Sequence, residues 1–263
     1  KKVSSKFDSS KIRLNIENEI DYDEEIKKGL INLLFINKNS SFNYRIKKNE
    51  FSFNSDDNKN TYSGLVFFKP FYFSAKFNYD GISTRNLFND DTIFMDLIKS
   101  EILTNKNINA AIDLNVKDIT NIDELNNLNL KIAFSQGDIG FSNSHIMWKD
   151  DLKIKLLESL LTYNDNYEVS LTGKLNLNFE NLENFYRSFQ IKKNHRKKIK
   201  EIEIDFIYNF NQKKINFDNV KINNESYTLI EKYIETFNNS ENRIFNKITF
   251  KNFVNNFFVA YAG

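Results

Sequence analysis

Hydrophobic and polar residues alternate with period two along most of the chain, as expected of strands with one buried face. Ile12, Leu14 and Ile16 begin the pattern. Phe42, Tyr44 and Ile46, then Phe51 and Phe53, flank Lys47-Lys48-Asn49-Glu50, which reads as a hairpin turn. In Gly64–Phe77, "GLVFFKPFYFSAKF", a single alternating run would point Leu65, Phe67, Phe71, Phe73, Ala75 and Phe77 one way and Val66, Phe68 and Tyr72 the other. Asp80-Gly81 then predicts a turn. Further on, Leu128, Leu130, Ile132 and Phe134 alternate with polar residues. Gln136-Gly137-Asp138 turns the chain back to Ile139 and Phe141, and Asn143-Ser144 turns it again to Ile146 and Trp148. Lys149-Asp150-Asp151 precedes Leu152, Ile154 and Leu156; Val169 and Leu171 lead through Gly173 to Leu175, Leu177 and Phe179. Ile202, Ile204, Phe206, Tyr208 and Phe210 share one face against Glu201, Glu203, Asp205 and Asn209. Asn211–Lys214 then turns into Ile215, Phe217, Val220 and Ile222.

Four segments change to helical spacing: Leu87–Ile102 with Asp90 or Asp91 as its cap, Leu182–Phe189 behind Asn181, Leu229–Phe237, and Phe250–Phe258. The pattern therefore predicts a mainly β protein. It is expected to be a strongly twisted antiparallel sheet, a meander of about a dozen short strands, forming a curved apolar groove with a few short packing helices. The expected division is a β-rich unit over 1–225 and a C-terminal helical segment over 226–263 packed on the sheet.

Composition narrows the picture. The chain has 263 residues and a net charge of +2, so nothing in its charge asks for nucleic acid. Hydrophobic residues make up 40 %, and 26 residues are Phe, ample for a core. The absence of cysteine excludes disulfides and thiolate chemistry. No apolar run reaches the roughly 18 residues of a spanning helix. The chain opens Lys-Lys-Val, so any membrane anchor is expected upstream of it.

Candidate chemistry is sparse. His145 and His195 are the only histidines, and their spacing is not that of ligands to one metal. Asp56, Asn58 and Asn60 have the first three spacings of a calcium loop, but Thr61 and Phe67 stand where that loop needs Gly and Glu. No phosphate-binding or nucleophile-elbow motif occurs. Glu201 and Glu203 read as solvent-facing charges. The reading is therefore of a protein that is not an enzyme and needs no cofactor. Lys192, Lys193, Arg196, Lys197 and Lys198 form the one dense basic cluster, read either as a solvated linker or as a contact for phosphate headgroups. What remains is apolar surface, which at this scale points to a ligand or partner. Burial of a tail of about 16 carbons at roughly 0.8 kcal/mol per methylene would contribute on the order of 12 kcal/mol.

The stretch "YSGLVFFKPFYFSAKFNYDGIS" resembles a piece of AsmA-like proteins in which a strand with Lys-Pro-Phe precedes a short strand and a helix. "LNNLNLKIAFSQGDIGFSNSHIMWKDDLKIKLLESLL" and "VSLTGKLNLNFENLENFYRSFQI" are similar to that family's C-terminal β-region. The resemblance spans about 62–223. It implies an envelope protein of Gram-negative bacteria, in the periplasm and tethered to the inner membrane by an N-terminal helix. Its groove would guide phospholipid acyl chains towards the outer membrane. Under that reading Phe67, Phe71, Phe73, Leu130, Ile132, Phe134, Ile204, Phe206 and Tyr208 line the groove. Phospholipid is then the partner, with a membrane surface and other envelope proteins as further contacts. The alternative is a structural or adhesion-type β domain in which the same residues form a closed core and the partner is a protein.

Overall fold

A computed structural model describes residues 2–8, 12–21, 25–35, 38–55, 60–83, 105–120, 122–163, 168–240 and 247–263. The protein is mainly β. Among the described residues fifteen strands form one sheet: β1 Lys2–Asp8, β2 Ile12–Asp21, β3 Ile26–Phe35, β4 Lys38–Lys47, β5 Glu50–Ser55, β6 Thr61–Phe68, β7 Phe71–Ile82, β8 Ala110–Ile119, β9 Leu125–Ser135, β10 Asp138–Phe141, β11 Ser144–Trp148, β12 Leu152–Tyr163, β13 Val169–Phe179, β14 Glu201–Asn209 and β15 Lys214–Ile222. Strand order follows chain order, except that β10 and β11 both lie between β9 and β12, one beyond the other along those strands. Among the described residues the helices are α1 Leu182–Ser188, α2 Thr228–Asn239 and α3 Lys247–Ala262, with a 3₁₀ turn at Lys193–His195.

Tight turns make most of the connections. Gln136 and Gly137, at φ 55° and 92°, both sit in the left-handed region that a two-residue hairpin turn demands. One junction departs from the expected antiparallel meander: β7 and β8 run parallel, Phe73 opposite Ala110 through Ile82 opposite Ile119. Parallel neighbours need a long crossover, and residues 83–109 supply it. The helical stripe expected at Leu87–Ile102 falls within that link and outside the described residues; Asp56 and Asn58 of the calcium-like spacing, between β5 and β6, also lie outside them. Asp80-Gly81 is not a turn. Both residues stay extended inside β7, and Gly81 pairs with Asp118. Neither adopts a positive φ.

Three single residues in the left-handed region, Asn127, Glu158 and Asn219, coincide with register breaks between β9 and β11, β12 and β13, and β14 and β15. Such bulges bend the strand and increase its twist. At the C-terminal end the helices close over the sheet. Phe185, Tyr186 and Phe189 of α1 and its cap, Ile230 and Ile234 of α2, and Phe253, Val254, Phe257 and Phe258 of α3 are buried. They share one core with Ile202, Ile204, Phe206, Phe217, Val220 and Ile222. Asn181 caps α1 through its side chain to Asn184 N (3.1 Å). Asn238 of α2 accepts from Phe217 N (3.0 Å) and donates to Phe217 O (2.7 Å), so a side-chain amide occupies backbone groups on edge strand β15. That contact shields part of an edge otherwise open to pairing.

Candidate functional site

Residues directly opposite one another in a sheet lie on the same face, so the register assigns each side chain to a face. One face is apolar in unbroken rows that cross the strands. The longest row runs Ile46, Phe51, Val66, Phe73, Ala110, Phe134, Ile139, Leu161, Leu171, Tyr208 and Ile215, from β4 to β15. Beside it run Tyr44, Phe53, Gly64, Ala75, Ile112, Ile132 and Phe141. A third row holds Tyr62, Phe77, Leu114 and Leu130. At strand spacings of about 4.8 Å, the second row alone spans about 29 Å. Gly64 keeps it flat, because a Cβ there would lie 2.3 Å from the Phe53 ring.

The cover over this face is uneven. The core cluster that the helices join draws its strand residues from β11 to β15 alone. A smaller cluster of Ala110, Phe134, Ile139, Leu161 and Val169 is built from sheet residues. Towards the N-terminus the row residues Ile46, Phe51, Val66, Phe73, Ile112, Leu114 and Leu130 are half-buried. Their neighbours are mainly one another, with ring contacts such as Phe51–Phe53 at 6.0 Å and Tyr62–Phe77 at 6.3 Å.

The register sorts the expected lining residues into three groups. Phe71, Phe73, Leu130 and Ile132 lie on the apolar face where it is half-buried or exposed, and Phe134 is buried in the smaller cluster. Ile204 and Phe206 lie on the same face but are 4 % and 6 % exposed, inside the core that the helices close, with Tyr208 packed against it. They are core residues. Phe67 lies on the opposite face, paired with Tyr72 and Glu50. The reason is the Lys69-Pro70 turn, whose peptide bond is cis. A single extended run would keep Phe67 in phase with Phe71; a two-residue hairpin places Phe68 opposite Phe71 and reverses the phase. Val66 and Phe68 therefore belong with Phe71 and Phe73. The near-mirror "FF-KP-FY" carried that signal, since a Lys-Pro pair between aromatic runs marks a turn.

The other face is polar and equally ordered. Thr61, Asn78, Asn115, Asn129, His145, Lys155, Asn176, Glu203 and Lys221 form one row. Within it Asn78 Nδ2 donates to Thr61 Oγ1 (2.8 Å), Asn115 Nδ2 to Asn78 Oδ1 (3.0 Å), and Asn129 Nδ2 to Asn115 Oδ1 (2.6 Å). The chain of amides ties together strands on both sides of the parallel junction. A shallow cleft of about 590 Å³ lies over this region, lined by Lys76, Asp113, Asn115, Asn129, Lys131 and His145. Partial burial, followed by Lys153, Lys155 and Lys131, pushes the His145 pKa below the usual histidine range.

The basic cluster links α1 to β14. Its backbone is tied down: Tyr186 Oη donates to Lys197 O, and Asn223 Nδ2 to Lys198 O (3.5 Å). Arg196 is engaged with the fold. It donates to Ile191 O (3.0 Å), pairs with Glu183 (3.3 Å) and lies 5.6 Å from the centre of the Tyr186 ring. Lys192, Lys193, Lys197 and Lys198 are exposed. His195 sits in the 3₁₀ turn of this link, far along the chain from His145 on β11.

No helix among the described residues is long and apolar enough to cross a membrane. In comparisons with known proteins, no family model, curated protein or solved structure matches this chain.

Proposed function

We propose that this protein is a non-enzymatic lipid-binding protein of the AsmA-like type. It holds phospholipid acyl chains against the apolar face of its sheet as they pass between the inner and outer membranes of a bacterial envelope. The observation that carries the reading is the set of register-aligned apolar rows on β4–β9, where Tyr44, Ala75, Ala110 and Phe134 are buried but most row residues are only half-buried, whereas the same face on β12–β15 is sealed by helices. A bilayer's hydrocarbon core is about 30 Å thick, so one acyl tail needs about 15 Å; each row crosses enough strands for that. Sequence-tolerant apolar contact suits a ligand held by chain length, at about 0.8 kcal/mol per buried methylene. The polar outer face keeps such a sheet wetted while its other side holds lipid. In this reading the protein works in the periplasm, and the exposed lysines between α1 and β14 meet headgroup phosphates.

A closed structural domain is the second reading, favoured by the helical cap over β12–β15. Native mass spectrometry of protein purified from bacterial cells separates the two. Co-purified phospholipid that is lost in folded Phe73→Asp and Leu130→Asp variants supports the lipid-binding reading. An unloaded mass, with no uptake of fluorescent phospholipid, overturns it in favour of the closed domain.

A further inference from the structure

The β6–β7 hairpin ends in an aromatic tip that the apolar rows leave uncovered. Phe67, Phe68, Phe71 and Tyr72 are 37 %, 47 %, 41 % and 38 % exposed, around an exposed Lys69-Pro70 turn. Single exposed apolar residues are ordinary, but four aromatics within six residues form a patch. The register distributes them in a particular way. Phe67 and Tyr72 are opposite each other on the polar face, and Phe68 and Phe71 on the apolar face. A protein partner laid on either face of the sheet would cover one pair and leave the other in water. A six-residue tip also falls far short of the roughly 800 Å² per partner of a stable protein interface. A lipid interface surrounds whatever enters it and covers both pairs together.

The neighbouring turn adds to this. Phe68 N donates to Asn49 O (2.9 Å), so the β4–β5 turn lies beside the aromatic tip. The two turns carry Lys47, Lys48 and Lys69 against one carboxylate, Glu50, which is paired across the strands with Lys47 and Phe67. Tyr72 adds a ring with a polar end, which favours the membrane–water boundary, and nearby lysines favour anionic headgroups.

We infer that the β6–β7 tip is a membrane-docking element that enters the interfacial layer of a phospholipid bilayer with Phe67, Phe68, Phe71 and Tyr72, steadied by Lys47, Lys48 and Lys69 on headgroup phosphate. This does not depend on lipid being carried along the apolar face, and either proposal can fail alone.

The test uses the full chain and vesicles of phosphatidylcholine, with and without an equal part of phosphatidylglycerol. The wild-type protein is expected to co-sediment with the mixed vesicles. Phe68→Ser/Phe71→Ser should lose at least about tenfold in partitioning, since binding strength follows the apolar area inserted. Because these side chains are exposed, far-UV circular dichroism should not change. A second variant keeps the proposal testable if the serines disturb the hairpin. Phe68→Trp should gain fluorescence quenching by bromine-labelled lipid chains, beyond the signal of Trp148 in the wild type. Failure to co-sediment, or equal binding by the serine variant, would overturn the proposal. Binding without quenching at Phe68→Trp would reduce the contact to headgroup electrostatics and also overturn it. Self-association through the tip with no vesicle binding would assign the patch to a protein contact instead.

Discussion

Introducing a carboxylate at Leu130 and at Ile204 should give opposite outcomes, although both residues lie on the same face of the same sheet. Ile204 is 4 % exposed, opposite Leu175 and beneath the helical cap. Replacing it with Asp forfeits the packing of a buried isoleucine, about 2–5 kcal/mol by analogy with truncation. It also strands an unpaired charge at a further several kcal/mol. The sum reaches the whole stability of a typical domain, about 5–15 kcal/mol. Ile204→Asp is therefore expected to be unfolded or insoluble. Leu130 is half-buried beside Leu114 and belongs to neither buried cluster. Half of a leucine's burial is worth about 1 kcal/mol, and the new carboxylate reaches water. Leu130→Asp should stay folded, with the thermal midpoint lowered by roughly 2–4 °C. Its effect on lipid should be larger. An acyl chain crossing the row would lose contact over three or four methylenes, about 3 kcal/mol or ~100-fold in affinity. Urea denaturation reads the first quantity, and displacement of a fluorescent fatty acid reads the second. Equal collapse of both variants would show that the face at β9 is as closed as at β14. A folded Leu130→Asp protein with unchanged lipid affinity would refute the placement of acyl chains on these rows.

Gly173→Ala should destabilise by about 1–3 kcal/mol, measured in urea, through overpacking. A Cβ there would lie 1.8 Å from Ser159 Oγ and 2.8 Å from Ser159 Cα, and Ser159 is buried. Asn181→Ala should cost about 1 kcal/mol by removing the α1 cap, read as a lowered midpoint with an unchanged denaturant slope. His145 has its folded pKa depressed by partial burial and by Lys153, Lys155 and Lys131, with Asn129 opposite it. Its contribution is thus complete above the unfolded value of about 6.5 and is lost as pH falls through the lower folded value. His145→Gln should flatten that part of the stability–pH curve. Tyr186, pushed up to about 12 chiefly by burial, works at the other end. The folded protein holds the phenolic proton while the unfolded chain gives it up near pH 10, so stability falls as pH rises from about 10 towards the folded value. Tyr186→Phe should remove this residue's share of the alkaline loss, leaving that of the other raised tyrosines such as Tyr208 and Tyr233, in a pH series of unfolding midpoints.

Much of the architecture follows from local rules that the sequence carries alone. Period-two alternation, as in Leu128–Phe134 and Ile202–Tyr208, depends only on side chains pointing to opposite faces along a strand, and those segments are strands. Lys48-Asn49, Gln136-Gly137 and Asn211–Lys213 are turns, each a polar break between alternating runs, with Lys48, Gln136, Gly137 and Lys213 in the left-handed region. Helical spacing behind Asn181, and again at Leu229 and Phe250, similarly marked α1, α2 and α3. Cover was decided only in three dimensions, and phase turned on a hairpin that alternation alone does not show. The Lys69-Pro70 hairpin reversed which aromatics share a face, so Phe67 parted from Phe71 and Phe73. The crossover after β7 made one junction parallel, a long-range pairing that alternation does not encode. The difference between Ile204, sealed in a core, and Leu130, half-buried in an apolar row, is invisible in their identical strand patterns. It depends on where α1, α2 and α3 come to rest, and helices lying on one end of a sheet bury its residues without changing its periodicity.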